Sequence, residues 1–242
     1  MLPLDIVRAL IRRGFTILRK EGPISLLRRC VAFLGYLHGR VFYRRSVYLY
    51  EHTLVSRDRT AYLPRLESWQ LRVLESNEDA DRVAGEGYED LRDPFVFARR
   101  GLASGAVAFC VFVGRELIHV GWLATTSGGK VAVDRIPFPV AFDAGQACTG
   151  GTFTHPKYRG KGLMPYGYYE RFEYLRAKGF SVSRNSVELD NVSSHRAHAK
   201  FNPTIYAIGH LRRVLWWQSW RTEELPGGPV RGMPPVAPGG RG

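Results

Sequence analysis

Paired cysteines are missing from this chain of 242 residues. Its three cysteines, Cys30, Cys110 and Cys148, lie far apart and form no CxxC pair, which argues against a disulfide framework and a zinc knuckle. Long apolar runs are missing as well: no stretch of about 18 apolar residues could span a bilayer, and arginines interrupt the apolar start where a secretory signal needs an unbroken core. We therefore expect a protein of the reducing cytoplasm.

The sequence also lacks internal repeats, a P-loop motif and a full GxGxxG motif, which excludes solenoids and the common nucleotide-binding loops. Its composition, 45% hydrophobic and 24% charged, is that of an ordinary globular protein. This length suits one domain of roughly 150 to 200 residues with extensions.

Acidic residues are scarce in the first 50 positions, which hold ten Lys or Arg and two acids, within a net charge of +13 for the chain. Such a balance favours polyanionic ligands or surfaces but does not determine the fold. Apolar residues interleaved with arginines over 4–19, and again over 24–45, predict two basic amphipathic helices. We assign residues 1–45 to a basic helical extension, either packed on the domain with a solvated face or docked on an anionic membrane or a partner.

A mixed pattern of short strands and helices follows, over a predicted domain at 46–224. Proline and glycine dominate the last 18 residues, 225–242, and predict a disordered tail. One mixed sheet, an α+β (mixed α/β) fold, is the expected architecture. The predicted strands are 46–54, 69–76, 106–113, 117–126, 146–154, 180–189 and two around 204–221; the predicted helices are 77–84, 88–100, 165–178 and 193–200.

The stretch "HPKYRGKGLMPYGYYE", residues 155–170, places a glycine-rich basic turn before a helix. Backbone N–H groups of such a turn converge on one point, and the helix dipole favours negative charge there. Gly160 and Gly162 would let an anion approach closer than a Cβ allows, while Arg159 and Lys161 add positive charge. Alone this motif is a weak signal, more typical of a solvated turn than of a phosphate site.

The order of elements gives the loop a context. A strand, "HPKYRGKGL", a helix, another strand and then "VELDNVSSHRAHAKF" resemble the GNAT (general N-acetyltransferase) superfamily over residues 69–217. In the loop, Pro156, Tyr158, Arg159 and Gly162 match the family pattern, while Met164 stands where Gly or Ala is usual. The resemblance implies one central mixed sheet flanked by helices and an acyl-CoA site without a metal. Its implied coenzyme-binding residues are Phe153, Thr154, Arg159, Gly160, Lys161, Gly162, Leu163, Met164 and Asn191.

For catalysis, His198 stands seven residues after Asn191, where the family often has a tyrosine that protonates the coenzyme thiolate; an imidazole suits that role because its pKa lies near neutrality. Glu188 is our choice of base, and a packed His198 is the alternative. The other base candidates are Asp143, His155 and Asp190. Cys148 is more typical of a buried thiol than of a nucleophile, and the aromatic residues Tyr206, Trp216, Trp217 and Trp220 fit either the core or an acceptor pocket.

We therefore expect an acyl-CoA-dependent N-acyltransferase that moves acetyl from acetyl-CoA to a primary amine of an amino sugar, small metabolite or protein. A non-catalytic GNAT-like module that binds CoA or a partner is one alternative. Nucleic-acid binding through the basic N-terminus is another, less favoured one. For the N-terminal segment we further expect either a homodimer contact or attachment to the inner face of the membrane.

Overall fold

A computed structural model of the chain describes residues 42–95 and 97–234. The predicted helix over 4–19 and most of the second one, 24–45, lie outside these residues. The end of the second prediction is wrong, because residues 42–45 open a strand whose aromatic and β-branched residues suit an extended backbone. By contacts, the described residues fall into two units, 46–210 with 220–234, and 42–45 with 211–219.

Nine strands form one mixed sheet among the described residues, and five α-helices accompany them. The strands are β1 (Phe42–Thr53), β2 (Gln70–Leu74), β3 (Ala106–Val113), β4 (Glu116–Ala124), β5 (Gln146–Thr154), β6 (Val182–Glu188), β7 (Thr204–Val214), β8 (Trp217–Glu223) and β9 (Val230–Arg231). The helices are α1 (Asn77–Gly85), α2 (Ala98–Ala103), α3 (Ser127–Val133), α4 (Leu163–Ala177) and α5 (Val192–Ala199). The expected mixed α+β fold, with a central mixed sheet flanked by helices, is confirmed.

The sheet order is β2-β3-β4-β5-β6-β1-β7-β8, with β9 paired to β7. β2 to β5 pair antiparallel in sequence order, β5 and β6 pair parallel, and β1 inserts antiparallel beside β6. The central strands β3 and β4 are buried almost throughout, which explains why "AVAFCVFV" is apolar without alternation. The parallel pair β5–β6 needs a crossover, and α4 supplies it.

One predicted helix is mostly absent from the structure, and one observed helix was not predicted. Of the predicted helix 88–100, only the last three residues are helical, as the start of α2. The earlier part is not helical, because Asp90 accepts the backbone N–H of Arg92 in a local turn and Pro94 follows. Helix α3 lies where neither a helix nor a strand was predicted. Thr126 caps it by accepting the N–H of Gly129, and a Cβ on that glycine would lie 2.9 Å from the carbonyl oxygen of Gly105.

The predicted disordered tail differs from the structure in its first ten residues. Leu225 is buried, and Val230–Arg231 pair with Thr204–Ile205 as β9. Burial of Leu225 and the two-residue pairing of β9 with β7 fix a segment that is otherwise rich in proline and glycine. The rest of the tail, 235–242, lies outside the described residues.

Candidate functional site

Strand β5 carries a bulge in its second half. Val120 of β4 faces Phe153, but Trp122, two residues on, faces Gly150, so Gly121 opposes two residues of β5. Gly151 sits in the bulge with φ 54°, and a Cβ on it would lie 2.9 Å from the indole ring of Trp122. Such a bulge re-aims the backbone that follows it. Glycine is needed here for both conformation and space.

A cleft opens between the C-terminal halves of β5 and β6. The two strands pair only through Gln146–Cys148 and Val182–Arg184. Two residues further on, the register would bring Gly150 opposite Ser186. Instead, the backbone N–H of Ser186 donates to a carboxylate oxygen of Asp134 at 3.3 Å. The carboxyl ends of diverging parallel strands are a frequent ligand-binding crevice.

Asp134 reaches this cleft from the segment that follows α3. One carboxylate oxygen accepts the hydroxyl of Ser186 at 2.7 Å, and the other accepts the backbone N–H of Ile136 at 2.9 Å. Burial raises the pKa of Asp134, although the hydrogen bonds from Ser186 and Ile136 act to lower it. A carboxylate with a raised pKa in a cleft has the properties of a general base. The sequence offered no motif for Asp134, because only the approach of α3 to β5 brings it there.

Arg171 of α4 lies fully buried beneath the bulge. Its guanidinium donates to the carbonyl oxygens of Trp122 at 3.1 Å and Gly150 at 3.3 Å, and stands 3.9 Å from the ring centroid of Tyr168. Burial lowers the pKa of Arg171, and the side chain still finds oxygen acceptors for its N–H groups. The cation thus ties α4 to the backbone of β4 and β5 at the point where the bulge begins.

His198 of α5 is fully buried within a polar network under the sheet. Its Nδ1 lies 3.0 Å from Nε2 of His52, and its Nε2 lies 3.3 Å from the amide nitrogen of Asn185. Burial holds the pKa of His198 well below its usual value, and the nearby His52 and Arg171 lower it further. The ring is therefore neutral at pH 7, with both nitrogens engaged. This environment favours the packed alternative over the acid role predicted from the sequence.

The loop before α4 has the conformation of an anion cradle. Gly160 and Gly162 both adopt left-handed backbones, with φ 76° and 82°, and Gly162 caps the helix without a side-chain hydrogen bond. No acceptor among residues 42–95 and 97–234 takes the backbone N–H groups from Gly160 to Met164. Pro165 has no N–H to offer. The helix dipole adds partial positive charge at the same place.

A cavity of about 170 Å³ lies against this cradle. At a share of roughly 30 Å³ per liquid water molecule, it has room for a group of phosphate size. The segment 61–65 forms its other wall, held by a hydrogen bond of 2.8 Å from the N–H of Arg65 to the carbonyl oxygen of Lys161. Its lining includes two cationic residues and no acid: Ala61, Tyr62, Leu63, Arg65, Gly160, Gly162, Pro165 and Lys200.

The remaining loop residues take defined positions. Arg159 and Lys161 are exposed, and Arg159 donates to the carbonyl oxygen of Thr154 at 3.4 Å. Leu163 is buried in an apolar cluster with Val111, Ile118 and Tyr166. Met164 packs against a second cluster, centred on Phe109, Phe172 and Leu175, so its side chain is accommodated by the apolar core. Its departure from the usual small residue therefore leaves the backbone N–H available.

The remaining predicted coenzyme-binding residues lie where the two diverging strands end. Phe153 and Thr154 end β5, and Asn191 follows β6. Phe153 is 36% exposed on the bulged part of β5. The hydroxyl of Thr154 bonds Nδ1 of His119 at 2.8 Å. Asn191 caps α5 by accepting the N–H of Ser194 at 3.1 Å. This cap gives the asparagine a structural role at the expected position, and its contact with a coenzyme stays a prediction.

The base candidates from the sequence lie in three different parts of the chain. Asp143 is exposed in a 3₁₀ turn, and Asp190 is exposed before α5. Glu188 is partly buried at the end of β6, and His155 is partly buried before the loop. Cys148 is buried, and burial raises the pKa of its thiol, so it is protonated at pH 7 and unsuited to nucleophilic attack.

The described residues hold no cluster of metal-ligating side chains, and their C-terminal aromatic residues lie in different surroundings. Among residues 42–95 and 97–234, no group of three or more His, Cys, Asp or Glu side chains could hold a metal ion. Trp216 and Trp217 are exposed, while the ring of Trp220 covers Gly209. Tyr206 lies under the guanidinium of Arg184, at 5.0 Å from ring centroid to Cζ. Trp216 and Trp217 are therefore outside the core, whereas Trp220 packs on β7.

Comparison with known proteins gives likeness of fold only. No protein-family model matches the sequence, and no curated protein is significantly similar to it. Solved structures do match at probability 1.00, several of them GCN5-related N-acetyltransferases. An N-acetyltransferase-like protein of Streptococcus suis is 13% identical over 82% of this chain and 76% of its own, with a TM-score of 0.44. An N-acetyltransferase of Sphaerobacter thermophilus is 14% identical over 84% of this chain and 57% of its own, with a TM-score of 0.43.

Other matched structures carry no activity in their names. One is a functionally unknown protein of Staphylococcus epidermidis, 10% identical, with a TM-score of 0.42 and 76% of this chain covered. The chain spans 57% of a matched Drosophila protein and 67% of the Staphylococcus one. Similarities this distant concern the general arrangement of strands and helices. They carry no conclusion about substrate or activity, which rests on the geometry of this chain.

Proposed function

We propose that this chain is an acyl-CoA-dependent N-acyltransferase that moves an acyl group, acetyl in the first instance, to a primary amine by direct attack. One observation carries the proposal: the cleft between β5 and β6 opens at the same end of the strands where the basic cradle precedes α4. A phosphate-sized cavity with cationic walls lies against that cradle. An extended ligand with a phosphate at one end and a reactive group at the other fits this arrangement.

The cradle fits the pyrophosphate of coenzyme A. Backbone N–H groups from Gly160 to Met164 would hold it, because a glycine at each left-handed position leaves room where a Cβ would stand. Arg65 and Lys200 in the cavity, with Arg159 and Lys161 at its rim, would supply counter-charge. When bound, acyl-CoA supplies a thioester whose carbonyl carbon is the electrophile. Phe153, Thr154 and Asn191 are proposed to contact its pantetheine arm.

Asp134 is proposed as the group that takes the proton from the attacking amine. Its carboxylate lies in the cleft, fixed by hydrogen bonds from Ser186 and Ile136, and its raised pKa makes it a better base than an exposed aspartate. A backbone N–H of β5 near Phe153, after the bulge, is proposed to polarise the carbonyl. Glu188 remains a second candidate base, and His198 is proposed to position Asn185 and His52 beneath the cleft.

The acceptor is a primary amine of an amino sugar, a small metabolite or a protein, since an aspartate in the cleft also attracts a cationic amine before deprotonation. Cytoplasmic location, a homodimer and attachment of residues 1–45 to an anionic membrane stay proposals. Nucleic acid is the less favoured partner. Among residues 42–95 and 97–234, every helix falls short of the length or hydropathy that a membrane span requires.

Calorimetry with CoA and acetyl-CoA, followed by free-thiol release with a panel of amines, tests this function. We expect binding of both coenzymes and thiol release that depends on an amine. Coenzyme binding without turnover for any acceptor would support a non-catalytic binding module instead. Absence of coenzyme binding would remove the acyltransferase proposal altogether.

The role of Asp134 is tested by Asp134→Asn, with Asp143→Asn as the matched control at an exposed aspartate. Loss of a general base lowers rates by roughly 100- to 10,000-fold. We expect Asp134→Asn to lower kcat within that range and to leave CoA affinity unchanged, while Asp143→Asn behaves as wild type. Wild-type kcat in Asp134→Asn would assign the base to another residue, Glu188 first, without affecting the coenzyme site.

A further inference from the structure

The turn between β7 and β8 exposes four consecutive apolar residues, which we call the hairpin tip, Val214–Trp217. Their exposed fractions are 36% for Val214, 49% for Leu215, 87% for Trp216 and 55% for Trp217. Single exposed apolar side chains are common on protein surfaces. Four in a row, with two tryptophans at the end of a hairpin, form a contiguous apolar feature of the kind that marks an interaction site.

The backbone of the hairpin tip is also unfavourable for its sequence. Leu215 and Trp216 form a two-residue loop, and Leu215 has φ 56°. Loops of this kind favour asparagine and glycine, because those residues reach positive φ at low cost, whereas leucine does not. The chain thus places large apolar side chains in water at a position where small polar residues would stabilise the turn better. Strain of this kind is typical of positions kept for a function.

Packing explains the third tryptophan of this region but not the two at the hairpin tip. Trp220, on β8, lays its ring over Gly209 of β7, where no larger residue would fit. It is partly buried and contributes to the sheet surface. Trp216 and Trp217 have no comparable burial, although they belong to the same hairpin. Stability of the hairpin therefore does not account for them.

The charge around the hairpin tip is positive. Arg212 and Arg213 precede it directly and are both exposed, and Arg221 follows on β8. From 211 to 222 the sequence holds these three arginines and no acid. The first acid, Glu223, pairs with Arg221 at 3.8 Å and with His210 at 3.3 Å. An apolar tip followed by arginines is complementary to a layer that has an apolar interior and anionic groups at its surface.

We propose that the hairpin tip docks on an anionic membrane surface. Trp216 and Leu215 would enter the boundary between headgroups and acyl chains, where tryptophan is favoured, and Arg212 and Arg213 would contact lipid phosphates. Four residues are too few for a stable protein interface, which needs roughly 800 Å² on each partner. Trp216 and Trp217 could stack on nucleic-acid bases, but Val214 and Leu215 offer no such surface, whereas a bilayer accepts all four apolar side chains.

Vesicle flotation of the full chain tests this docking, with phosphatidylcholine vesicles compared with vesicles that also contain phosphatidylglycerol. We expect binding to the anionic vesicles that weakens with salt. The double change Trp216→Ala and Trp217→Ala should reduce it by about tenfold or more. The double change Arg212→Glu and Arg213→Glu should reduce it by roughly 10- to 30-fold, at about one Arg-lipid interaction lost per residue.

Two matched controls keep the test specific. Val131→Ser removes an apolar side chain that is 67% exposed on α3. The pair Arg99→Glu and Arg100→Glu makes the same change of net charge at two adjacent exposed arginines of α2. Both controls should bind vesicles as wild type does. Unchanged thermal unfolding of every variant shows that the hairpin changes act at the surface.

Three results would overturn the proposal. The first is wild-type vesicle binding by both hairpin-tip variants. The second is a concentration-dependent dimer, seen by light scattering, that the tryptophan variant abolishes while the wild type binds no vesicles. The third is binding of short oligonucleotides that the hairpin-tip variants lose, again without vesicle binding.

Discussion

At the scale of single residues, Gly162 shows how the loop reserves space for an anion. Its left-handed backbone, with φ 82°, meets no crowded neighbour: a Cβ would lie 3.7 Å from Cα of Pro64, an ordinary contact. Gly160, with φ 76°, would have open space around a Cβ. The folded chain alone therefore does not need the space at these glycines. The left-handed backbone already favours glycine at both positions, and the open space beside it leaves the N–H groups accessible to a ligand.

We expect Gly162→Ala to weaken CoA binding by at least tenfold, because its Cβ stands where the phosphate approaches. The control is Gly87→Ala, at a glycine with φ 85° and open surroundings after α1. Both changes should cost about 1 kcal/mol of stability, since both force alanine into the left-handed region. Calorimetry with CoA separates them. Equal CoA affinity for the two variants would show that the loop does not hold the coenzyme.

Residue patterns predicted the glycine-rich loop, but neither the proposed base Asp134 nor the buried Arg171. Gly160 and Gly162 could be found because a glycine-rich turn before a helix is visible in the sequence. Asp134 could not be found in this way, since it reaches Ser186 only because α3 precedes it. The two glycines of α3 lower its helix propensity, so the sequence did not predict this helix. In the sequence, Arg171 is one charged residue among several in the predicted helix 165–178. Its acceptors are backbone carbonyls of β4 and β5, which no side-chain pattern reveals.

At the scale of elements, α4 packs so closely on β4 that one of its positions must be glycine. A Cβ on Gly167 would lie 2.5 Å from Nε2 of His119, a fully buried ring held by Thr154. We expect Gly167→Ala to destabilise the protein by about 1 to 3 kcal/mol, because overpacking outweighs the gain in helix propensity. Denaturant unfolding measures the change.

Gly85→Ala in α1 is the matched control for this packing. It is also helical, but nothing lies within 4 Å of the added Cβ. Here alanine should stabilise the protein by roughly 0.5 to 1 kcal/mol. Opposite signs for two identical substitutions would identify the contact with His119 as the cause. Stabilisation by both would mean that α4 can move away from β4 without cost.

The order of strands and helices was more predictable than the residues at which they begin and end. Strands β3 to β6 and helices α4 and α5 followed from apolar runs, glycine stops and capping residues. The failures lie where a short-range interaction overrode a periodic pattern, as at Asp90 before α2, or where glycines lay inside a helix, as in α3. The cleft itself depends on a register that ends after Cys148 and Arg184. No local pattern predicts where two strands part.

At the scale of the whole molecule, buried neutral histidines link folding to pH. Burial lowers the pKa of His52 and of His119 to about 3 each, and holds the pKa of His198 well below its usual value. In the unfolded chain these side chains titrate near 6.5. Between those values the unfolded state binds more protons than the folded state. Stability is therefore complete above about pH 6.5 and is lost as the pH falls toward 3.

Each buried histidine should reduce the free energy of unfolding by about 2 kcal/mol when the pH falls from 7.5 to 5. His52 and His198 share a hydrogen bond, so their losses are coupled, whereas His119 lies apart with Thr154. His119→Asn keeps a hydrogen-bonding group toward Thr154 and removes the titration. Denaturant unfolding at the two pH values should show that this variant loses about 2 kcal/mol less than wild type. An equal loss in both proteins would mean that His119 becomes protonated within the folded state, and that the contact between α4 and β4 opens to water below neutral pH.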